Sequence, residues 1–450
     1  MNLPITPSCF VRRSLLAPAA AALLLAACGD AAELAPEAET GPTPSLPAPR
    51  QALLPTVNVA PVVGWTDTAG PTAPDGFAVT ALARGLDHPR MVYALPNGDV
   101  LAVESNQPPK PAGGHGGGLV AEIRRKVTGL VQKRAGADVQ SANRITLLRD
   151  ADNDGVAELR QVFMQDLVSP FGVVLVGGEL FIANADALVK VPYVEGQTTI
   201  TAAPVKVTDL PADPNHHWTK HVVANREGTK LYVSVGSNSN VGENGLEVEE
   251  GRAAIWEVDL HSGEKRLFAS GLRNPTALAW EPDTNVLWAV VNERDELGSD
   301  LVPDYLTSIK DGAFYGWPWS YFGGYVDTRV QPQRPDMVAK AVVPDYALGS
   351  HRAPLGIAFS NPRGMPPEFA SGAFIGEHGS WNRRPLAGYK VVFVSFIGGR
   401  PSGPPVDFLT GFLSADDEAQ GRPVGVALDR RGALLVADDV GNVVWKVRKK

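Results

Sequence analysis

Six times along this chain of 450 residues, a turn leads into a short apolar strand that ends in small or polar residues. The copies span 97–104, 178–184, 228–234, 285–290, 372–377 and 432–438. Ahead of most lies a second short strand, often introduced by proline, as in His88-Pro89-Arg90, Ser169-Pro170-Phe171, Asn274-Pro275-Thr276, Ala353-Pro354-Leu355 and Arg422-Pro423-Val424. One such unit cannot bury both faces of its own sheet, so neighbours must stack around a common axis. Long amphipathic helical patterns are almost absent, and the short β-rich strands predict an all-β, six-bladed β-propeller with loop insertions. Residues 77–80 are expected to pair with 443–446 and close the ring. A β-sandwich is the alternative, and six copies of one unit argue against it.

The start of the chain has a different character. Arg12 and Arg13 precede an Ala/Leu run that is too short to span a bilayer comfortably. It ends in Leu25-Ala26-Ala27-Cys28, a lipobox pattern in which the Cys28 thiol is diacylated and the chain is cut before it. An ordinary secretory signal is the other reading. The expected organisation is a lipoprotein signal over 1–27, a disordered Ala/Pro-rich tether over 28–74, and the propeller over 75–450. The product would be exported and lipid-anchored, at the periplasmic face of a membrane or at the cell surface. Cys9 leaves with the signal, so Cys28 is the one cysteine of the mature chain and no internal disulfide can form.

Charge narrows the partners. The formal net charge is −8, and loss of Arg12 and Arg13 with the signal takes it to −10. No basic stripe stands out, which argues against nucleic acid. The basic stretch 124–133 and the glycine-rich 113–118 read as parts of a solvated insertion; a phosphate loop would need a strand before it and a helix after. Asp150-Ala151-Asp152-Asn153-Asp154-Gly155 is an independent signal. Asp150, Asp152 and Asp154 alternate before a glycine, as in the first half of a calcium-binding EF-hand loop. The twelfth position is Gln161 rather than glutamate, and an acidic hairpin turn is the competing reading. Three histidines, His216, His217 and His221, fall within six residues and offer either a base of near-neutral pKa or a polar loop. His351 and His378 are set aside as structural.

Several stretches carry a family resemblance: Gly271-Leu272-Arg273-Asn274-Pro275, Val291-Asn292-Glu293-Arg294-Asp295, Tyr315-Gly316-Trp317-Pro318, Gly379-Ser380-Trp381-Asn382-Arg383 and Gly421-Arg422-Pro423-Val424. Their order and spacing resemble the sorbosone dehydrogenase branch of the soluble glucose/sorbosone dehydrogenases, which use pyrroloquinoline quinone (PQQ) and calcium. The resemblance covers about Gly76 to Val447 and implies a six-bladed propeller. It also implies a sugar oxidoreductase in which a hydroxyl loses its proton to a base and hydride moves to PQQ.

On that resemblance His217 would be the base, with His216 as runner-up. Arg273 and Asn274 would face PQQ, with Arg273 also stabilising developing charge. Arg422 would take a PQQ carboxylate, and Arg383 or Asn382 would replace a lysine that the family has. The backbone carbonyls of Arg294 and Asp295 would hold the catalytic calcium, with the Asp295 or Glu293 side chain as the alternative. Gly324, Tyr325 and Asp327 would hold a second one. Val424 stands where the family has a second arginine. Electrons would pass to an external acceptor, a quinone or a cytochrome; the chain has no Cys-x-x-Cys-His for a haem of its own. Two other functions stay open: a non-catalytic surface propeller binding glycan or protein, and a calcium-dependent lactonase-type hydrolase.

Overall fold

The computed structural model describes residues 30–51, 56–109, 134–136, 138–362 and 364–450. Cys28, the signal and most of the 108–141 insertion lie outside them. Six four-stranded antiparallel sheets form the blades of a propeller. From the axis outward, blade 1 holds β2 (Pro89–Ala94), β3 (Val100–Glu104), β4 (Arg144–Arg149) and β5 (Leu159–Met164). Blade 2 holds β6 (Gly172–Val176), β7 (Glu179–Ala183), β8 (Ala187–Pro192) and β9 (Val205–Asp209). Blade 3 holds β10 (Val222–Ala224), β11 (Lys230–Val235), β12 (Ala254–Asp259) and β13 (Lys265–Ser270). Blade 4 holds β14 (Asn274–Trp280), β15 (Leu287–Asn292), β16 (Pro303–Ser308) and β19 (Tyr346–Ser350), with the hairpin β17 (Ser320–Tyr321) and β18 (Tyr325–Val326) inserted. Blade 5 holds β20 (Pro354–Phe359), β21 (Gly372–Glu377), β22 (Lys390–Ile397) and β23 (Arg400–Leu409). Blade 6 holds β24 (Pro423–Leu428), β25 (Leu434–Asp438), β26 (Val443–Lys449) and β1 (Phe77–Arg84).

The repeated segment of the sequence is the second strand of every blade: β3, β7, β11, β15, β21 and β25. These strands are buried on both faces, as in β3, β21 and β25, so their residues read as unbroken apolar runs. The proline-led segments before them are inner strands. A donor missing at the first strand residue costs little there. Outer strands such as β9 and β13 carry exposed positions, whereas β19 is buried throughout. Six apolar clusters fill the six gaps between neighbouring blades. One example joins Ala277, Trp288 and Val290 of blade 4 to Ile357, Ile375 and Phe396 of blade 5.

The ring closes as expected, through β1 on β26. The register differs: Thr80 faces Lys446, Phe77 faces Lys449, and Val443 lies opposite Arg84. The tether departs from expectation over its described residues. Instead of trailing in solvent, residues 30–51 and 56–72 are laid along the propeller. Gly41 pairs with Ala347 on the outer edge of blade 4, Asn58 with Asn382, and Thr72 with Thr410. Glu39 is 2% exposed and bound to Arg352 and Arg383. Low apolar content pointed to disorder, but here one buried carboxylate and a series of backbone hydrogen bonds hold the segment.

Candidate active site

Every inner strand begins, and every second strand ends, on the same face of the ring, because each pair is antiparallel. The polar residues at those ends therefore converge on one mouth. Between them sits a small apolar cluster of Phe171, Ala185, Trp218, Leu355 and Val424, drawn from four blades.

His217 lies just before β10. Its Nδ1 is 2.7 Å from the carbonyl of Ser237, so Nδ1–H donates and Nε2 keeps the lone pair. Burial, and then the charge of Arg273, hold this imidazole well below its ordinary pKa and therefore neutral. Beneath the loop, fully buried Lys220 donates from Nζ to the Trp218 carbonyl at 3.1 Å and to Asn215 Oδ1 at 3.2 Å. Gly236 completes the floor: a Cβ there would collide with Asn274 Oδ1 and the Cβ of His217. His216 is exposed and meets His217 edge to face.

Arg273 is buried at the blade 3–blade 4 boundary. It donates to the Glu293 carbonyl at 2.6 Å, and to Asp295 Oδ2 and Asn240 Oδ1 at 3.0 Å each. Asp295 Oδ1 accepts from Asn382 at 2.7 Å, and His351 Nδ1 stands 3.6 Å away. Burial alone would raise the Asp295 carboxyl, but Arg273, His351 and Asn382 hold it below the usual range.

Across the axis, Asp439 accepts from Arg90 at 2.6 Å and from His378 Nε2 at 2.9 Å, with His88 at 3.5 Å. The Arg90 guanidinium sits 5.8 Å from the Trp218 ring, which links this group to the His217 loop. Arg422 lies over Tyr389 and donates to its hydroxyl at 3.2 Å.

His217, Arg273, Asn274 and Arg422 are thus brought to one mouth. Asp295 and Asn382 join them through Arg273, while other expected residues are engaged differently. Arg383 turns its guanidinium to Glu39 and to the carbonyls of Ser299 and Ser350, so it anchors the N-terminal segment rather than facing the mouth. Asp295 is not set up to hold calcium. The Asp295 carbonyl accepts from Asn240 and Arg329, and its carboxylate is fully engaged as above. Cationic and amide donors occupy the positions that a cation would need. Arg294 has a fully buried guanidinium bound to Glu293, Asp327 and the carbonyls of Pro318 and Ser320. The alternative ligand, Glu293, is spent on that arginine. In the second expected calcium loop both Asp327 oxygens are held by Arg329, one of them also by Arg294, while Gly324 and Tyr325 lie in the exposed hairpin. Sequence reasoning missed Arg90, His88, Asp439 and Lys220. The strand-end positions of His88-Pro89-Arg90 and Asp438-Asp439 were the available signal.

The TrAA12-like family model matches residues 138–305 and 331–450, well over half of the chain. The chain belongs to the TrAA12-like family. Its solved neighbours share the propeller. A Trichoderma reesei protein described as Carbohydrate-Active Enzymes Family AA12 superposes with a TM-score of 0.68 at 19% identity, over 87% of this chain and all of that one. The PQQ domain of pyranose dehydrogenase from Coprinopsis cinerea superposes at 0.66 and 20% identity, over 87% of this chain and all of that one. Among curated relatives, an uncharacterized protein of Borreliella burgdorferi is 30% identical over 51% of this chain and 60% of its own length. A PQQ-dependent pyranose dehydrogenase of Coprinopsis cinerea is 24% identical over 54% of this chain and 38% of its own. This TrAA12-like chain therefore spans only part of the length of those curated relatives.

Proposed function

We propose that this TrAA12-like protein is a PQQ-dependent dehydrogenase that oxidises a sugar or sugar aldehyde of the aldose or sorbosone type. The observation that carries this reading is the bond from His217 Nδ1 to the Ser237 carbonyl, which leaves Nε2 unprotonated near Arg273 and Asn274.

The mouth is suited to a polar, carboxylate-bearing cofactor. Asn274 Oδ1, Asn382 Oδ1, Arg90 Nε, Arg422 Nε and His88 Nε2 are buried without hydrogen-bond partners. So many unsatisfied groups in one place are costly unless a polar ligand meets them. Arg90 and Arg422 would pair with carboxylates, and Asn274 would orient the ring system. When bound, PQQ supplies the two-electron acceptor for a hydride. The chain supplies the rest. His217 Nε2 would take the hydroxyl proton, Ser237 holds that imidazole through Nδ1, Lys220 holds the loop backbone beneath it, and Arg273, paired with Asp295, sets its guanidinium nearby.

The test is PQQ binding to the purified protein, followed by sugar-dependent dye reduction. His217→Ala is expected to keep PQQ affinity and lose turnover by about 100-fold or more. Failure to bind PQQ would sink the reading. Because burial and Arg273 lower the His217 pKa, the base stays unprotonated in weak acid. The acid limb of kcat/KM should therefore fall below pH 6.5, and a limb centred above that value would contradict His217 as base.

We further infer that the chain is exported and acylated at Cys28. No described helix is long and apolar enough to cross a membrane. Asp30, two residues after Cys28, accepts from Ser299 N at 3.1 Å on the face that carries the mouth. Two residues reach at most ~7 Å, so the lipid would hold this face against the bilayer. A membrane quinone then suits the role of electron acceptor. Incorporation of labelled palmitate that disappears in Cys28→Ala would support the anchor, and no incorporation would refute it.

A further inference from the structure

The loop between β4 and β5 lies on the face opposite the candidate active site, since β4 starts beside Glu104 at the mouth and runs away from it. Here Asp150, Asp152, Asp154 and Glu158 each place a carboxylate oxygen within 4.8 Å of the others, the one such group of four among the described residues. Glu158 answers the question left by Gln161: the carboxylate that closes the loop comes three residues earlier, by way of the turn at Gly155, whose φ is +101°. Each carboxylate gives one oxygen to a backbone amide. Ala151 donates to Glu158 Oε2, Asp154 to Asp152 Oδ1, Gly155 to Asp150 Oδ2, and Val156 to Asp154 Oδ1.

One feature of this cluster points to a ligand on its own. The Asp150 side chain is 5% exposed, and its Oδ1 has no hydrogen-bond partner. A buried carboxylate oxygen left bare costs stability unless a cation or donor meets it. Lys446 reaches only Oδ2, at 3.1 Å, and also contacts Asp429. One lysine leaves most of the charge of four carboxylates uncompensated.

We propose that this loop binds a calcium ion that clamps the seam of the propeller. Four hard oxygen donors from one short flexible loop suit calcium, with water completing the shell. The loop belongs to blade 1, yet its neighbours are the two strands that close blade 6. Lys446 of β26 pairs with Asp150, and Arg448 of β26 donates to the Asn153 carbonyl at 2.7 Å. Thr80 of β1 packs so tightly on Gly155 that no Cβ fits between them. Calcium would rigidify the loop and, through these contacts, hold β1 and β26 against blade 1.

The full chain, stripped with a chelator and without PQQ, is titrated with calcium alone by calorimetry and melted with and without the ion. Wild type is expected to bind and to melt on the order of 5 °C higher at calcium a hundredfold above its dissociation constant. The double variant D152N/E158Q, changed at exposed side chains, should lose that binding event while keeping the melting temperature of chelated wild type. Calcium should also slow hydrogen exchange of the β1 and β26 amides in wild type only. The same binding and the same shift in the variant, no binding by wild type at millimolar calcium, or an equal shift with magnesium would overturn the proposal. So would calcium binding by wild type with no change in β1 and β26 exchange. None of these readouts depends on PQQ, so failure here is separable from failure of the dehydrogenase reading.

Discussion

Single buried ionisable residues set much of the chemistry of this protein, and Glu377 shows how. It ends β21 fully buried, neither of its oxygens has a hydrogen-bond partner, and Arg352 stands 3.7 Å away. Burial pushes its carboxyl up to about 7, with Arg352 opposing. A carboxyl raised in the folded state binds more protons there than in the unfolded chain. It therefore withdraws stability as pH rises from about 4.5 to about 7. Glu377→Gln should remove that slope and gain on the order of 2 kcal/mol relative to wild type between pH 5 and pH 8, measured by denaturant unfolding. His88 works in the opposite direction. Burial lowers it to about 4, against the pull of Asp439, so its contribution is intact above pH 6.5 and lost as pH falls towards 4. At this scale the sequence was partly readable. His217, Arg273 and Asn274 stood out because resemblance supplied expected roles for them. Asp439 and Lys220 did not, since nothing local distinguishes a buried lysine under a histidine loop from a surface one.

Among elements, the N-terminal segment departs most from what its composition implies. Proline, alanine and a few acids give no periodicity, yet Glu39 reaches a pocket where Arg352, Arg383 and the Ser350 amide wait for it. Glu39→Ala would leave two buried guanidinium groups short of a counter-charge and should cost about 3–5 kcal/mol. Thermal melting, with proteolysis of the 30–51 segment as a local readout, checks this. The exposed Glu33–Arg50 pair is the control, and Glu33→Gln should leave the melting temperature unchanged. The same element explains why Arg383 is unavailable to a cofactor. A basic residue in a family motif has no fixed partner until the fold decides which acid lies nearest.

For the whole molecule, closure of the ring is the decisive event. Blade 6 is made from both ends of the propeller domain, so no blade order is complete until β1 meets β26. Trp445 sits at that junction, 2% exposed, edge-on to Trp65 at 5.4 Å and bonded through Nε1 to Asp438. Trp445→Ala should lower the unfolding free energy by about 3–5 kcal/mol in denaturant melts. It should also speed exchange in β1 more than in blade 3. The six clusters between blades make every blade depend on two neighbours, so unfolding is expected to start at this seam.

The sequence by itself determined the propeller. A strand buried on both faces must be apolar throughout, and six such strands, each led by its turn, leave few other ways to bury them. It also determined which strand ends carry polar residues, because turn chemistry is local. Tertiary structure alone decided who pairs with whom. It gave Asp295 and Asp327 to arginines, Glu39 to the core, and Glu158 to the Asp150 loop. These partners lie far apart in the chain or on opposite sides of a turn, and charge pairing depends on distance in space, which spacing in sequence does not encode.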